Sequence, residues 1–196
     1  MFFVFATLMG GESGPVDEAE VVSLIDAARV GNPRAARRLY ALHVTKLYRA
    51  LRPLCASDAD AEDAVQAAFV DALSHLSRYA PREGRRFLSW LVTLGLNRVR
   101  KSFRSSSRVE TDSETVSAVL DRDVATTEDT QVRRSALLKA LATLPERDRQ
   151  VVSLFYGAEL SADEVAETTG VSASNVRKIC ERQRKALLTM LGEPHE

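Results

Sequence analysis

Apolar residues recur along most of this chain at spacings of three and four, the period of an amphipathic α-helix, and the strict alternation of a half-buried strand is nearly absent. Val21, Val22, Leu24, Ile25 and Ala28 form a first helical stripe. Asn32-Pro33 opens a second helix, whose apolar set is Ala35, Ala36, Leu39, Tyr40, Leu42, Val44, Leu47, Tyr48 and Leu51. Pro53 ends or kinks it, because a proline ring removes a backbone donor and clashes with the preceding turn. Ser57-Asp58-Ala59-Asp60 offers side-chain oxygens to cap a third helix. That helix turns Ala61, Ala64, Val65, Ala68, Phe69, Ala72 and Leu73 inward, and Glu62, Asp63, Gln66 and Asp71 to other faces. Tyr79 to Gly84 is a loop by its Pro and Gly. A fourth helix runs from about Arg86 through Trp90 and Leu94 to Phe103.

The same period returns from Gln131. Leu137, Leu138, Leu141 and Leu144 make a stripe stopped by Pro145. Val151, Val152, Leu154, Phe155 and Tyr156 make the next, and Gly157 is read as its stop. Ser161-Ala162-Asp163-Glu164 is an S-x-x-E capping box and starts a short helix. Gly170 stops that helix where a positive φ is cheap, and Ser172 caps another, with Val176, Ile179, Cys180, Leu187 and Leu188 on its inner side. Two short helices joined by a tight glycine turn make a helix-turn-helix. The pattern predicts an all-α protein of two small helical domains.

Charge divides the two halves. The acidic and basic counts are equal, 27 each, so net charge points to no partner. Its distribution does: the charges from Arg98 to Arg108 are all basic, whereas those from Val109 to Thr130 are acidic except Arg122. The acidic stretch, rich in Ser and Thr, predicts a flexible linker over 105–130 between domains at 17–104 and 131–192. The apolar start, Met1 to Met9, has no cation before it and is too short to span a bilayer. Residues 1–16 are therefore expected to be a disordered extension of a soluble, cytoplasmic protein without membrane insertion. Cys55 and Cys180 are far apart, and His43, His75 and His195 are scattered, so no disulfide framework, metal site or cofactor is expected. Neither a nucleophile elbow, a P-loop nor a dinucleotide fingerprint appears, and the chain is not expected to be an enzyme or to take a small-molecule substrate.

The outer face of the helix after Ser172 carries Ser174, Asn175, Arg177, Lys178, Glu181, Arg182 and Lys185. Asn and Arg can pair bidentately with adenine and guanine edges in the major groove. The trailing cations suit phosphates. These residues are the candidate duplex-reading set.

The first domain narrows the function. Asp60-Ala61-Glu62-Asp63-Ala64-Val65-Gln66-Ala67-Ala68-Phe69 resembles the D-A-E-D-x-x-Q-x-x-F signature of region 2.2 of bacterial RNA polymerase sigma factors. Arg86-Phe87-Leu88-Ser89-Trp90-Leu91, with Asn97, is similar to the F-x-x-W-L…N pattern of regions 2.3 and 2.4. Leu144-Pro145-Glu146-Arg147-Asp148-Arg149-Gln150-Val151-Val152 resembles the opening of region 4.1, and the helix-turn-helix falls where region 4.2 should lie. The chain is thus similar to the extracytoplasmic-function (ECF) subfamily of the sigma-70 family over roughly residues 20–104 and 131–191. Ala67, Ala68, Leu96 and Lys101 depart from the family's common residues, which touches the fine −10 preference and not the class.

The resemblance implies a factor that binds core RNA polymerase and takes it to promoters. Asp60, Glu62, Asp63, Gln66 and Phe69 would dock on the β′ clamp helices, and the second domain would meet the β subunit flap. Arg85, Arg86, Trp90, Asn97, Arg100 and Lys101 would hold the −10 element, whose bases must leave the stack. Trp90 either stacks at the melted junction or packs in the core. The helix after Ser172 would read the −35 element, and the acidic linker would thread through the polymerase. An anti-sigma factor is a further partner the resemblance allows. The rival reading is a conventional helix-turn-helix regulator that binds its duplex site without polymerase.

Overall fold

The computed structural model describes residues 17–81, 85–106 and 128–192. The expected N-terminal extension, the loop tip at 82–84 and the linker residues 107–127 lie outside them. Among the described residues eight α-helices follow one another: α1 (Glu18–Arg29), α2 (Pro33–Leu51), α3 (Asp58–Ser74), α4 (Phe87–Ser106), α5 (Glu128–Ala142), α6 (Glu146–Val152), α7 (Ala162–Thr169) and α8 (Ala173–Leu191). Helix claims both ends of the expected linker, since 105–106 finish α4 and 128–130 begin α5.

Local chemistry sets the boundaries. Asp17 and Asn32 cap α1 and α2, each accepting a hydrogen bond from a backbone N–H of the first turn, and Pro33 occupies the position where a missing N–H costs nothing. Pro53 ends α2 in a 3-10 turn, Arg52–Leu54. Ser57 and Asp60 close a reciprocal capping box on α3. In the first module, α2 packs on α1, α3 and α4, and α3 packs on α4. Phe87, Tyr79, Trp90 and His43 form an aromatic knot at the start of α4, with ring centroids between 5.1 and 5.7 Å apart.

In the second module α8 packs on α5, α6 and α7. The sequence suggests two tethered modules, and the structure also packs them on each other. The end of α2 meets Ser153–Gly157, a π-helical turn after α6, α4 meets α7, and α5 and α6 meet the Arg52–Leu54 turn. The buried apolar residues of both modules join in one cluster.

Gly157 shows the physical reason. Read as a helix stop, it does not have the positive φ found at Gly170. A Cβ added at Gly157 would lie 2.8 Å from the Arg49 carbonyl oxygen and 3.0 Å from the Ala50 nitrogen. The residue is small because the backbone of α2 runs directly against it.

Candidate nucleic-acid and polymerase interfaces

The helix-turn-helix forms as its sequence predicts. Ser161 Oγ accepts from the Glu164 N–H at 3.2 Å, and Glu164 Oε2 accepts from the Ser161 N–H at 2.9 Å. Gly170 caps α7 at φ 71°, and Ser172 caps α8. Val176, Ile179, Cys180 and Leu187 are buried, whereas Ser174, Asn175, Arg177, Lys178, Glu181, Arg182 and Lys185 are all exposed. Burial pushes the Cys180 thiol up to about 12, so it is a packing residue and not a nucleophile.

The seven exposed residues differ in freedom. Arg177 faces Asp163 at 3.8 Å with both side chains largely in water, a contact worth little that leaves the guanidinium available. Arg182 donates to Asp148 Oδ2 at 2.7 Å, and Gln183 Nε2 donates to the same oxygen at 2.5 Å. These bonds tie α8 to α6, so Arg182 orients the helix as well as offering charge. Lys185 pairs with Glu181 one turn earlier at 3.1 Å.

On α4, Asn97, Arg100 and Lys101 are exposed, and helical spacing puts them on one face with the half-buried Trp90. Trp90 belongs to the aromatic knot, which favours its core role over free stacking. Arg98 donates to both carboxylate oxygens of Asp71, one at 2.7 Å, and clamps α4 to α3. That bond holds the Asp71 carboxyl below its ordinary range.

Arg85 and Arg86 are not free as the sequence suggests. Arg86 Nε donates to Glu164 Oε1 at 3.0 Å, and a terminal nitrogen donates to Glu164 Oε2 and to the Glu159 carbonyl, each at 2.7 Å. Arg85 pairs with Glu167 at 2.6 Å. Burial raises the Glu164 pKa, but the Arg86 and Ser161 bonds outweigh it and the net shift is downward. The −10 candidates are thus split: Asn97, Arg100 and Lys101 face solvent, while Arg85 and Arg86 face the second module. Lys46, invisible as a site residue in the sequence, joins this seam through Glu159 at 2.8 Å. A cleft of about 820 Å³ opens along it, lined by Tyr79, Arg86, Phe155, Leu160 and Arg177 among others.

The expected docking residues on α3 also separate. Asp63 and Gln66 are exposed, and Glu62 is half-buried. Asp60 serves the capping box. Phe69, expected beside the docking contacts, is only 4% exposed and packs on Tyr40 at 4.6 Å. Leu73, expected inside, is 40% exposed, and Val70 is 63% exposed. Asp63, Gln66, Val70 and Leu73 follow the i, i+3, i+7, i+10 spacing of one helix face. Sequence reading missed the two apolar members; their step from Gln66 was the available signal.

Comparison with known proteins identifies the family. The family model described as Sigma-70 region 2 matches residues 39–109, and that described as Sigma-70, region 4 matches residues 134–187. The RNA polymerase sigma factor CnrH of Cupriavidus metallidurans is 30% identical, over 92% of this chain and 98% of that one. The chain belongs to the sigma-70 family, ECF type. It is a sigma factor, directing RNA polymerase to promoters, and nothing supports the rival regulator that works without polymerase. The sigma factor CarQ of Myxococcus xanthus is 28% identical over 84% of this chain and 94% of its own. The structure of CnrH in complex with the cytosolic domain of CnrY superposes with a TM-score of 0.62 at 28% identity, covering 90% of this chain and 98% of that chain. A sigma factor of this family is a transcription initiation factor. Among the described residues no helix is long and apolar enough to cross a membrane.

Proposed function

We propose that this sigma factor divides its work among three surfaces. Ser174, Asn175, Arg177 and Lys178 of α8 read the −35 duplex, with Glu181, Arg182 and Lys185 setting the helix against the backbone. Asn97, Arg100 and Lys101 of α4, joined by Arg85 and Arg86, hold the −10 strand. Asp63, Gln66, Val70 and Leu73 of α3 dock on the β′ clamp helices, where the two polar residues give direction and the two apolar ones give area. Region 2 spans 17–104 and region 4 spans 131–192, joined by the acidic segment between, and region 4 meets the β flap. The protein acts in the cytoplasm and carries out no covalent chemistry itself.

The observation that carries this reading is the exposed polar and basic face of α8, presented by a capping box, a left-handed glycine and a Ser cap in register. An anti-sigma factor is also proposed, since the related CnrH was solved with the cytosolic domain of CnrY. The seam cleft, lined by apolar Tyr79, Phe155 and Leu160 together with charged Arg86 and Arg177, suits such a partner. In vitro transcription on a pooled promoter library, with and without this chain added to core polymerase, tests the function. Start sites that appear only when both are present support it, and promoter binding by the chain alone at equal strength removes it.

A further inference from the structure

We propose that the acidic flank of α7 is a built-in competitor for the promoter strand, seated on the region 2 cations and released when the sigma factor opens. This rests on the assignment of Arg85 and Arg86 to the −10 element and adds what occupies them beforehand.

Three carboxylates meet three cations across the seam. Glu164 accepts from Arg86 at 2.7 and 3.0 Å, Glu167 accepts from Arg85 at 2.6 Å, and Glu159 meets Lys46 at 2.8 Å. A carboxylate presents a guanidinium with the paired oxygens that a phosphate presents, so the two compete for one donor fork. Glu164 is 3% exposed and Lys46 5%, so those two pairs each have one enclosed partner, while the Arg85–Glu167 pair lies at the solvent-facing rim. Glu159 has a φ of 55°, the one positive value among described residues other than glycine. A left-handed conformation is disfavoured for a non-glycine residue and persists where its surroundings demand it. Here both its carbonyl and its carboxylate are engaged by region 2.

A second observation is independent of charge. The nearest atoms to a Cβ at Gly157 are Arg49 O, Arg49 C and Ala50 N, all on region 2. A side chain there would meet the region 2 backbone first, so closure is what it resists most directly.

Size then separates the closed form from the working one. The −10 and −35 elements lie roughly 85 Å apart along B-DNA at about 3.4 Å per base pair. A compact chain of this length has a radius of gyration of only about 16 Å. The closed body is too small to hold both elements, while residues 107–127 can reach up to about 70 Å when extended. Opening frees Arg85, Arg86 and Lys46 at the moment region 4 departs for its own site.

The test uses the full chain in three forms: wild type, the double variant E164Q/E167Q, and G157A. Glutamine at 164 keeps one oxygen able to cap α7 and loses the charge together with one of the two acceptors that hold Arg86; G157A changes no charge. Small-angle scattering reads closure, and anisotropy of a labelled oligothymidine of about ten nucleotides reads the cations. Both variants are expected to enlarge the scattering radius and tighten oligothymidine binding about three- to ten-fold. An unchanged radius in both variants overturns the latch. An enlarged radius with unchanged affinity overturns the competition. Adding R86A to G157A should remove most of the gain. If it does not, the −10 assignment of Arg86 fails and the competitor falls with it, while the closure read by scattering stands.

Discussion

His43 shows how much a single residue's setting adds to its identity. In the sequence it is one of three scattered histidines; in the fold it is 2% exposed, its Nδ1–H donates to the Leu39 carbonyl at 2.9 Å, and its ring meets Phe87 edge-on at 5.2 Å. Burial pushes its pKa down, the Leu39 bond partly offsets this, and the neighbouring Lys46 and Arg86 charges push further down. The folded protein therefore binds this proton less readily than the unfolded chain. Its stabilising contribution is complete above the ordinary value of 6.5 and is lost as pH falls from there through the lowered folded value. The melting temperature should fall as pH drops below 6.5, and H43Q should flatten that profile. The depressed carboxylates Glu164 and Asp71 lose their contribution lower down, as pH falls below their ordinary values of 4.5 and 3.8. Phe69 is the second case. Burial against Tyr40 makes F69A a cavity mutation, expected to cost about 3–5 kcal/mol in denaturant melts. A normal unfolding midpoint in F69A would return the residue to the docking face.

At the scale of the element, one helix presents one function along one stripe. On α3 the buried set keeps the fold and the exposed set Asp63, Gln66, Val70 and Leu73 is free for a partner. The double variant Q66A/V70D should leave the circular dichroism spectrum and melting unchanged and weaken core binding at least about ten-fold, since truncating central contacts costs roughly 2 kcal/mol or more. Unchanged affinity for core places docking elsewhere. On α8 the division is the same, with Val176, Ile179 and Cys180 inward and Arg177 outward. R177A should reduce −35 discrimination by about 1–3 kcal/mol in a promoter-library selection while sparing the −10 preference. R182A should behave differently, because Arg182 is bonded to Asp148: it should lower stability as well as weaken binding to all sequences alike.

For the whole molecule the interface between modules matters most. It combines an apolar cluster shared by both halves with ion pairs at its rim. The rim pairs are partly open to solvent, so salt should weaken them: the Debye length shrinks from about 10 Å at 0.1 M to about 3 Å at 1 M. The scattering radius of the wild type should rise over that range, and that of G157A should change little. A wild-type radius that is flat with salt would assign closure to the apolar seam alone. Arg134, which donates to Tyr48 at 2.9 Å, adds a polar contact at the far end of the same seam.

What could be read from the sequence was whatever depends on neighbours along the chain. Helical period, the Ser57 and Ser161 capping boxes, the Gly170 stop and the basic face of α8 are local, because backbone hydrogen bonding and side-chain spacing within a few residues decide them. The family signatures were local for the same reason. Closure was not legible. It brings Arg86 to Glu164, Lys46 to Glu159 and Gly157 to Arg49, partners separated by 78 residues in the first case. No periodicity carries such a pairing; only the packing of two helical surfaces against each other decides it. That packing placed Arg85 and Arg86, expected as open DNA contacts, against carboxylates of the second module, moved Phe69 into the core, and gave Gly157 its reason.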